Sequence, residues 1–473
     1  MAKLKKWTAE LHQQASDLWE KETPEADAAK ELNLPVAMVR QEFKELNEGV
    51  PEKVPKKKAK KKATKKKATK KKAAVPLTKA QRIDQLIAST NSALKGDVIR
   101  KASKTSTDYL LRRPTGLLSL DIALGGGFPA SAMSVLTGPD GAGKDYLLDL
   151  TMAQQQRIQG DDFACLIYST EFKFDKRFAR DMCGFQVAMT ESELEKEDLS
   201  RVQKGIPPLT DEERAYYQTQ VGTVLLVDGV IADDGFDVVL DAVSANEFQI
   251  VAINSLGVMQ TAAKEAAVEK EGLRKHAAQS NEAQLLARFM PTLFMVLNRS
   301  DALGRRNQTA VIAVDQVRAN RNMGRMKPGM KVPEKWKYVS ASGSRALKHG
   351  KAIELMLHKG SDYLDKEYKP PINLGREVDW EIIKGKLGTH DGLKGSFDFW
   401  FDGGADPVTD LINTGALYGV IEKSGSWYSY EHGEEVISGQ GARNFRVELE
   451  DRPEMMEAIR DACFCEAEIV CLY

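Results

Sequence analysis

The 473-residue sequence contains little cysteine and no long apolar run. Its five cysteines are scattered and odd in number, which argues against a disulfide framework. Cys463 and Cys465 have no further cysteine or histidine at zinc-finger spacing. No apolar stretch approaches the ~20 residues of a membrane span, and the N-terminus lacks the apolar core of a signal peptide. These absences predict a cytoplasmic protein (bacterial cytosol, or host cytoplasm for a viral chain) without a membrane partner.

The net charge is zero, but acids are almost missing from one segment. Residues 51–76 contain thirteen lysines and a single acid, Glu52, so this segment carries +12 and the rest of the chain −12. With almost no apolar content beyond alanine and valine, the segment predicts a disordered linker. Its lysines favour non-specific, salt-dependent attraction to phosphate, and a solubilising tether is the alternative.

Residues 1–50 show helical spacing of apolar positions around tight turns, which predicts a small helical unit. A helix-turn-helix that enters a DNA groove is one interpretation. The ten acids and seven basic residues of this segment suit phosphate poorly. A small interaction or packing bundle therefore remains open as the alternative.

From residue 77 to about residue 400, strands and helices alternate as in a parallel α/β sheet. We expect buried strands at 133–136, 164–168, 224–227, 250–253 and 310–314. Polar residues follow three of these strands: Asp228, then Asn254 and Ser255, then Asp315 and Gln316. Because ligands bind at the carboxyl ends of such strands, this pattern predicts a site there. The polar, acid-rich residues 190–220 predict an inserted surface excursion.

A glycine-rich loop, Gly138 to Asp145, lies between a predicted strand and a predicted helix and fits the pattern G-x-x-x-x-G-K. Backbone N–H groups in such a loop surround phosphates, Lys144 would reach the terminal ones, and the helix N-terminus favours anions. The alternative is a glycine-rich turn without a ligand. Asp145 stands where Ser or Thr normally binds Mg²⁺.

Residues 318–348 contain nine basic residues and only one acid, Glu334, interleaved with methionine, tryptophan and tyrosine. Glycines and prolines interrupt regular structure there. Cations for the backbone and flat side chains for the bases are what single-stranded DNA requires. The predicted DNA-binding residues are Arg318, Arg321, Arg325, Lys327, Lys331, Lys335, Trp336, Lys337 and Arg345. A solvated basic loop without a ligand is the alternative, and a weaker candidate loop spans 260–279.

These motifs resemble, in order, those of the RecA-family recombinases. The similar segments are 115–125 before the P-loop, 170–171 with 175–180, 253–256 at the Walker B position, 315–318 before the second DNA-binding loop, and 422–430 near the C-terminus. The similarity is collinear from about residue 95 to residue 460. Residues 1–76 and 190–220 lie outside it.

The resemblance implies the fold class. We expect a RecA-like P-loop NTPase α/β core with a mostly parallel sheet, a small α/β C-terminal domain and an N-terminal helical unit. The expected domains are 1–50 (helical unit), 51–76 (linker), 77–400 (ATPase core) and 401–473 (C-terminal domain).

The resemblance also implies residue roles. Glu171 would be the general base that orients the attacking water, and Gln316 would sense the γ-phosphate and relay it to DNA. Lys384 and Lys386 would reach across a filament interface to the neighbour's ATP and stabilise charge there, as an arginine finger does. The implied nucleotide-binding residues are Gly138, Pro139, Asp140, Gly141, Ala142, Gly143, Lys144, Asp145, Tyr146, and Asp175 and Phe178 at the adenine.

The expected function is a DNA-dependent ATPase that forms a helical homo-oligomer on single-stranded DNA and exchanges strands with duplex DNA, with ATP and Mg²⁺ as cofactors. The alternative is a RecA-like paralogue or DNA-binding scaffold with weak or absent hydrolysis. The family arrangement has a hydroxyl on the P-loop and an Asp at the Walker B strand end; this chain has Asp145 and Asn254. We predict that the metal site lies at these two residues and that Asp145 coordinates Mg²⁺. A degenerate site, in which Asp145 points away, is the alternative.

Overall fold

The computed structural model describes residues 78–94, 111–171, 174–271, 281–299, 307–319, 338–340, 344–433 and 435–469. The predicted helical unit at 1–50 and linker at 51–76 lie outside these residues. None of the described helices is long and apolar enough to cross a membrane.

The helices of the described chain are α1 (Lys79–Leu94), α2 (Leu118–Ala123), α3 (Lys144–Gln159), α4 (Lys176–Cys183), α5 (Glu191–Gln203), α6 (Asp211–Gln218), α7 (Ala232–Ala245), α8 (Ala262–Glu271), α9 (Asn281–Leu297), α10 (Arg345–Gly350), α11 (Pro407–Leu417), α12 (Ala442–Glu450) and α13 (Pro453–Glu466). The strands are β1 (Arg112–Arg113), β2 (Phe128–Pro129), β3 (Ala132–Gly138), β4 (Ala164–Ser169), β5 (Thr223–Val227), β6 (Ile250–Asn254), β7 (Ala310–Ala319), β8 (Tyr338–Ser340), β9 (Ile353–Asp365), β10 (Ile372–Lys384), β11 (Lys394–Trp400), β12 (Gly404–Ala405), β13 (Glu422–Ser424), β14 (Trp427–His432) and β15 (Glu435–Gln440).

One large sheet organises the described core. Its strand order is β12-β11-β10-β9-β3-β7-β6-β4-β5, and β8 pairs with β7. Strands β9, β3, β7, β6, β4 and β5 run parallel, whereas β9 to β12 are joined by antiparallel pairing. The predicted RecA-like α/β fold with a mostly parallel sheet is confirmed.

Alternating side chains of the central strands fill two apolar layers, one on each face of the sheet. Leu136, Ile167 and Ile312 pack on the face that carries α3 and α4. Their neighbours in sequence point to the opposite face, against α7 and α9. Two-sided burial explains why these strands are continuous apolar runs in the sequence.

The prediction of a buried strand at 224–227 is wrong in one respect. The strand exists as β5, but it lies at the edge of the sheet, with Leu225 43% and Leu226 44% exposed. A short apolar run indicates a strand without distinguishing a central from an edge position, because that depends on how many neighbours pair with it.

The predicted excursion at 190–220 contains two helices, α5 and α6. Each begins with a reciprocal capping box, Thr190 with Glu193 and Thr210 with Glu213. The buried Arg180 of α4 donates hydrogen bonds to the Val187 carbonyl, just before this insertion, and to the Thr219 carbonyl, near its end. The insertion is therefore attached to α4.

A separate apolar core lies near the C-terminus. It is formed by α11, α12, α13 and the antiparallel sheet β13-β14-β15. Leu118 and Ile122 of α2 belong to the same cluster, and Asp410 accepts a hydrogen bond from the Ser119 N–H at 3.1 Å. Helix α2, just before the P-loop strand, thus joins this small domain to the core.

Candidate nucleotide and DNA site

The carboxyl ends of β3, β4, β6 and β7 meet at one edge of the sheet. Residue pairing places Ser169 of β4 beside Asn254 of β6, and Asn254 beside Val314 of β7. Gly138 of β3 lies beside Gln316 of β7. The sheet thereby brings the predicted P-loop and the polar strand ends together.

The P-loop connects β3 to α3 through backbone conformations that favour glycine. Gly143 has a φ of 89° and caps α3, and a side chain at Gly138 would lie 2.5 Å from the Leu357 carbonyl oxygen. Helix α3 begins at Lys144, so its unpaired N–H groups face the loop. This is the geometry of an anion site at a helix N-terminus.

Lys144 is 6% exposed, and its Nζ donates hydrogen bonds to the carbonyls of Gly138 (3.0 Å) and Pro139 (2.9 Å). Burial lowers the pKa of Lys144, and nearby carboxylates oppose this shift. These carboxylates are Asp145, Asp140, Glu171 and Asp315. Lys144 therefore lies among negative charges that a bare triphosphate would have to approach.

The two out-of-pattern residues are in direct contact. Asn254 Nδ2 donates a hydrogen bond to Asp145 Oδ1 at 2.8 Å. Asp145 thus points toward the Walker B strand end and not away from it. A carboxylate oxygen is a ligand that Mg²⁺ prefers, and Mg²⁺ bound to nucleotide phosphates commonly needs only one or two protein carboxylates, so these residues fit the ion.

Glu171 follows β4, and its carboxylate is held by two donors. Its Oε1 accepts hydrogen bonds from Ser255 Oγ at 2.6 Å and from Gln316 Nε2 at 3.1 Å. Thr170 ties the same strand ends together, because its Oγ1 donates to the Ser255 carbonyl at 2.7 Å. The arrangement links the predicted base to the predicted γ-phosphate sensor.

Two residues of this site were not assigned roles from the sequence. Ser255 is a direct partner of Glu171, and its position after a buried strand was the available signal. Asp315 is 1% exposed and contributes to the charge around Lys144.

The predicted adenine contacts begin α4. Asp175 caps the helix by accepting a hydrogen bond from the Phe178 N–H at 3.0 Å, and the Phe178 ring is partly exposed. Tyr146 packs in the core, 4.7 Å from Phe399 between ring centroids, and its hydroxyl accepts a hydrogen bond from the Ala405 N–H. Only the backbone of Tyr146 is therefore placed to face a nucleotide, because its side chain is buried.

The two predicted interface lysines differ in their surroundings. Lys384 ends β10, and its Nζ donates to the carbonyls of Lys348 (2.8 Å) and His349 (3.1 Å) in α10. Burial, together with repulsion from Lys386 and Lys351, lowers the pKa of Lys384 to about 8. Lys386 is exposed on the turn after β10.

Most of the predicted DNA-binding segment lies outside the described residues. This applies to Arg321, Arg325, Lys327, Lys331, Lys335, Trp336 and Lys337. Arg318 belongs to β7, only its backbone being described, and Arg345 is the exposed first residue of α10. β7 and α10 thus border the segment on both sides, and its DNA contacts stay a prediction.

Fold and site together define an α/β protein with a P-loop at the carboxyl ends of a parallel sheet. The RecA C-terminal domain family model matches residues 409–464. Protein RecA of Thermus thermophilus is 29% identical over 374 residues, which cover 77% of this chain and 88% of that protein. The corresponding values are 26% identity with 81% and 89% coverage for Protein RecA of Paracoccus denitrificans, and 28% with 80% and 92% for that of Thermus aquaticus.

These matches confirm the resemblance predicted from the motifs. The family model and these relatives support a RecA-family protein. The family model falls within the C-terminal region that carries its own apolar core.

Proposed function

We propose that this protein is a DNA-dependent ATPase that polymerises on single-stranded DNA and promotes homologous pairing and strand exchange. The observation that carries the proposal is the contact between Gln316 and Glu171. Gln316 lies two residues before the start of the basic segment 318–348, and Glu171, which interacts with Lys144 of the P-loop, would orient the attacking water. A change at the nucleotide would thus be transmitted along β7 to the DNA-binding segment.

The chemistry of the site suits phosphoryl transfer to water. Lys144 and the N–H groups at the start of α3 would bind the β- and γ-phosphates, and Asp145 would hold the Mg²⁺ that neutralises them. Ser255 and Gln316 fix the Glu171 carboxylate, which accepts a hydrogen bond from the attacking water. Exchange of the Gln316 contact from Glu171 to the γ-phosphate would order the DNA segment, and hydrolysis would reverse it.

Self-association is supported by surfaces that the described part of the chain leaves uncovered. Helix α1 exposes Ile83 (43%) and Leu86 (59%). Strand β5 exposes Leu225 and Leu226 at the edge of the sheet. Apolar side chains and an unpaired strand edge both favour contact with another protomer. Lys386, the exposed cation on the turn after β10, would contact the neighbouring protomer as well.

The test is ATP turnover measured with and without single-stranded DNA, followed by strand exchange between a homologous duplex and a single strand. We expect turnover to rise on addition of DNA and exchange to require ATP. DNA-independent turnover, or DNA binding without exchange, would contradict the proposal.

A second candidate function is a RecA-like DNA-binding scaffold with weak or absent hydrolysis. The Asp145–Asn254 contact favours it, because the amide stands where the family has a metal-binding carboxylate. This function predicts tight nucleotide binding, filament formation on DNA and no phosphate release. Phosphate release during filament assembly therefore separates the two candidates.

A further inference from the structure

The turn between β10 and β11, residues 385–393, contains Lys386. Its backbone conformation requires stabilising contacts from other segments of the chain. Leu387 has a φ of 59°, in the left-handed region that a residue with a side chain adopts only at a cost. A side chain at Gly385 would overlap the Thr389 carbonyl, so the chain reverses tightly there. Contacts from elsewhere must stabilise this turn.

Arg112 supplies such contacts from a position 275 residues away in the chain. It lies in β1, is 7% exposed, and its Nη2 donates a hydrogen bond to the Leu387 carbonyl. Its Nη1 donates to the carbonyls of Leu124 (3.0 Å) and Gly127 (3.3 Å), which follow α2. Only a planar guanidinium offers donors in a fixed fork that can bridge carbonyls of separate segments.

A second contact joins the turn to the same place. Thr389, 5% exposed, donates its hydroxyl to the Leu124 carbonyl at 2.7 Å. The turn is therefore attached to the end of α2 on both sides of Gly388. Lys386 projects from the attached turn, and among the described residues its side chain has no hydrogen bond or ion pair. Lys384, by contrast, is engaged with α10 of its own chain.

We propose that Arg112 is a positioning residue that holds this turn so that Lys386 meets the nucleotide of a neighbouring protomer. The inference rests on the proposed function, in which that lysine acts across an interface. A charge that is already oriented stabilises a transition state without reorganisation, and a misplacement of about 1 Å costs up to ~10²-fold in rate. Arg112 would thus act on catalysis without touching the nucleotide.

The first test compares Arg112→Gln with Arg113→Gln in the full chain. Arg113 is the matched control, because it is the adjacent buried arginine and donates to Gln155 and to the Gln308 carbonyl, away from the turn. We expect Arg112→Gln to lower DNA-stimulated turnover about tenfold or more, with ATP affinity within twofold of wild type. Equal turnover losses in both variants would overturn the proposal.

Mixing two variants tests whether the effect acts across an interface. Arg112→Gln keeps an intact P-loop, and Lys144→Ala keeps an intact turn. In a mixed filament, some interfaces bring the P-loop of an Arg112→Gln protomer against the turn of a Lys144→Ala protomer. At these interfaces both the P-loop and the turn are intact. Turnover above the sum of the separate variants is expected, and the absence of any gain would show that Arg112 serves only its own protomer.

A spectroscopic readout does not depend on activity. A nitroxide attached through Lys386→Cys, in a background with Cys465 and Cys471 replaced by serine, reports the mobility of the turn. Mobility should rise with Arg112→Gln and with Arg112→Lys, which keeps the charge but loses the fork, and stay unchanged with Arg113→Gln. Unchanged mobility in the Arg112 variants would overturn the proposal that Arg112 holds the turn. Absence of DNA-stimulated turnover in the wild type would instead overturn the proposed function.

Discussion

Asp145 and Asn254 place the carboxylate of the proposed metal site on the P-loop and an amide at the Walker B strand end. The hydrogen bond from Asn254 Nδ2 orients the Asp145 carboxylate toward the crevice shared with Lys144. Without a cation, a carboxylate about 4 Å from a phosphate charge is repelled by ~4 kcal/mol per charge pair at an effective dielectric of 20. Bound Mg²⁺ would turn this repulsion into ligation.

Nucleotide binding should therefore depend steeply on Mg²⁺. We expect Asp145→Thr to weaken ATP binding, because Asn254 cannot supply the missing charge. Adding Asn254→Asp to that variant should restore much of the affinity. Asp161→Asn is the matched control, since Asp161 is an exposed acid just beyond the far end of α3, and it should change affinity little. Titration with ATP in Mg²⁺ and in EDTA measures all four proteins.

Two results would count against this metal site. One is equal ATP affinity of the wild type in Mg²⁺ and in EDTA. The other is a double variant that binds no better than Asp145→Thr. Either would favour the degenerate site and, with it, the scaffold function.

Lys384 gives the site a pH dependence. Its pKa of about 8, lowered first by burial and then by Lys386 and Lys351, means that it loses its charge well below the ordinary lysine value of 10.5. If the Lys384 charge supports turnover, DNA-dependent hydrolysis should fall as the pH rises through about 8. Lys384→Arg, which stays charged, should move that fall upward, and Lys386→Arg should not.

The titration of Lys384 would not itself destabilise the fold over this pH range. The folded state holds the Lys384 proton more weakly than the unfolded chain, so this group makes the free energy of unfolding rise between pH 8 and pH 10.5. An identical pH profile for the wild type and Lys384→Arg would show that this lysine does not titrate during turnover.

At the scale of elements, continuous apolar runs predicted the central strands, because both faces of these strands are buried. The runs at 133–136, 164–168, 250–253 and 310–314 all lie within parallel strands of the large sheet. The exposure of β5 was missed, since an edge and a central strand have the same apolar composition. In the insertion, the capping residues Thr190 and Glu193 were visible in the sequence but were not used to predict a helix.

The sequence predicted the part of the site that lies within one local motif. It did not predict the contacts between segments that are far apart in the chain. The P-loop from Gly138 to Asp145 is local, so its pattern was sufficient. The contact between Ser255 and Glu171 spans 84 residues, and that between Arg112 and Leu387 spans 275. Such pairs depend on how the strands are ordered in the sheet, which no local pattern encodes.

The prediction at the scale of elements concerns DNA binding by the basic segment 318–348, which β7 and α10 border. Changing Arg321 and Arg325 to alanine should weaken single-stranded DNA binding while ATP still binds, because Lys144 is not among the changed cations. Trp336→Ala should also weaken DNA binding, by ~1–3 kcal/mol, with little change in salt dependence, since stacking releases no counterions. Fluorescence of Trp336 that ignores added DNA would contradict the stacking role.

For the whole molecule, the separation of charge is the dominant feature. The lysine-rich segment at 51–76 carries +12 and the remaining chain −12. A polyanion such as DNA would therefore be attracted by the segment and repelled by much of the body. Attraction of this kind is independent of base sequence and is weakened by salt, because binding releases counterions from the phosphates.

Deleting residues 51–76 should therefore change how DNA affinity responds to salt more than it changes catalysis. If the segment contacts Z phosphates, its loss should flatten the slope of log K against log salt by ~0.9Z on duplex and ~0.7Z on single strands. ATP turnover at saturating DNA should stay nearly intact, because the P-loop and its partners lie elsewhere in the chain. Replacing the thirteen lysines by glutamine, at unchanged length, is the matched control and should flatten the slope equally. A slope that survives both changes would show that the segment is a tether and that the affinity for phosphate lies in the core.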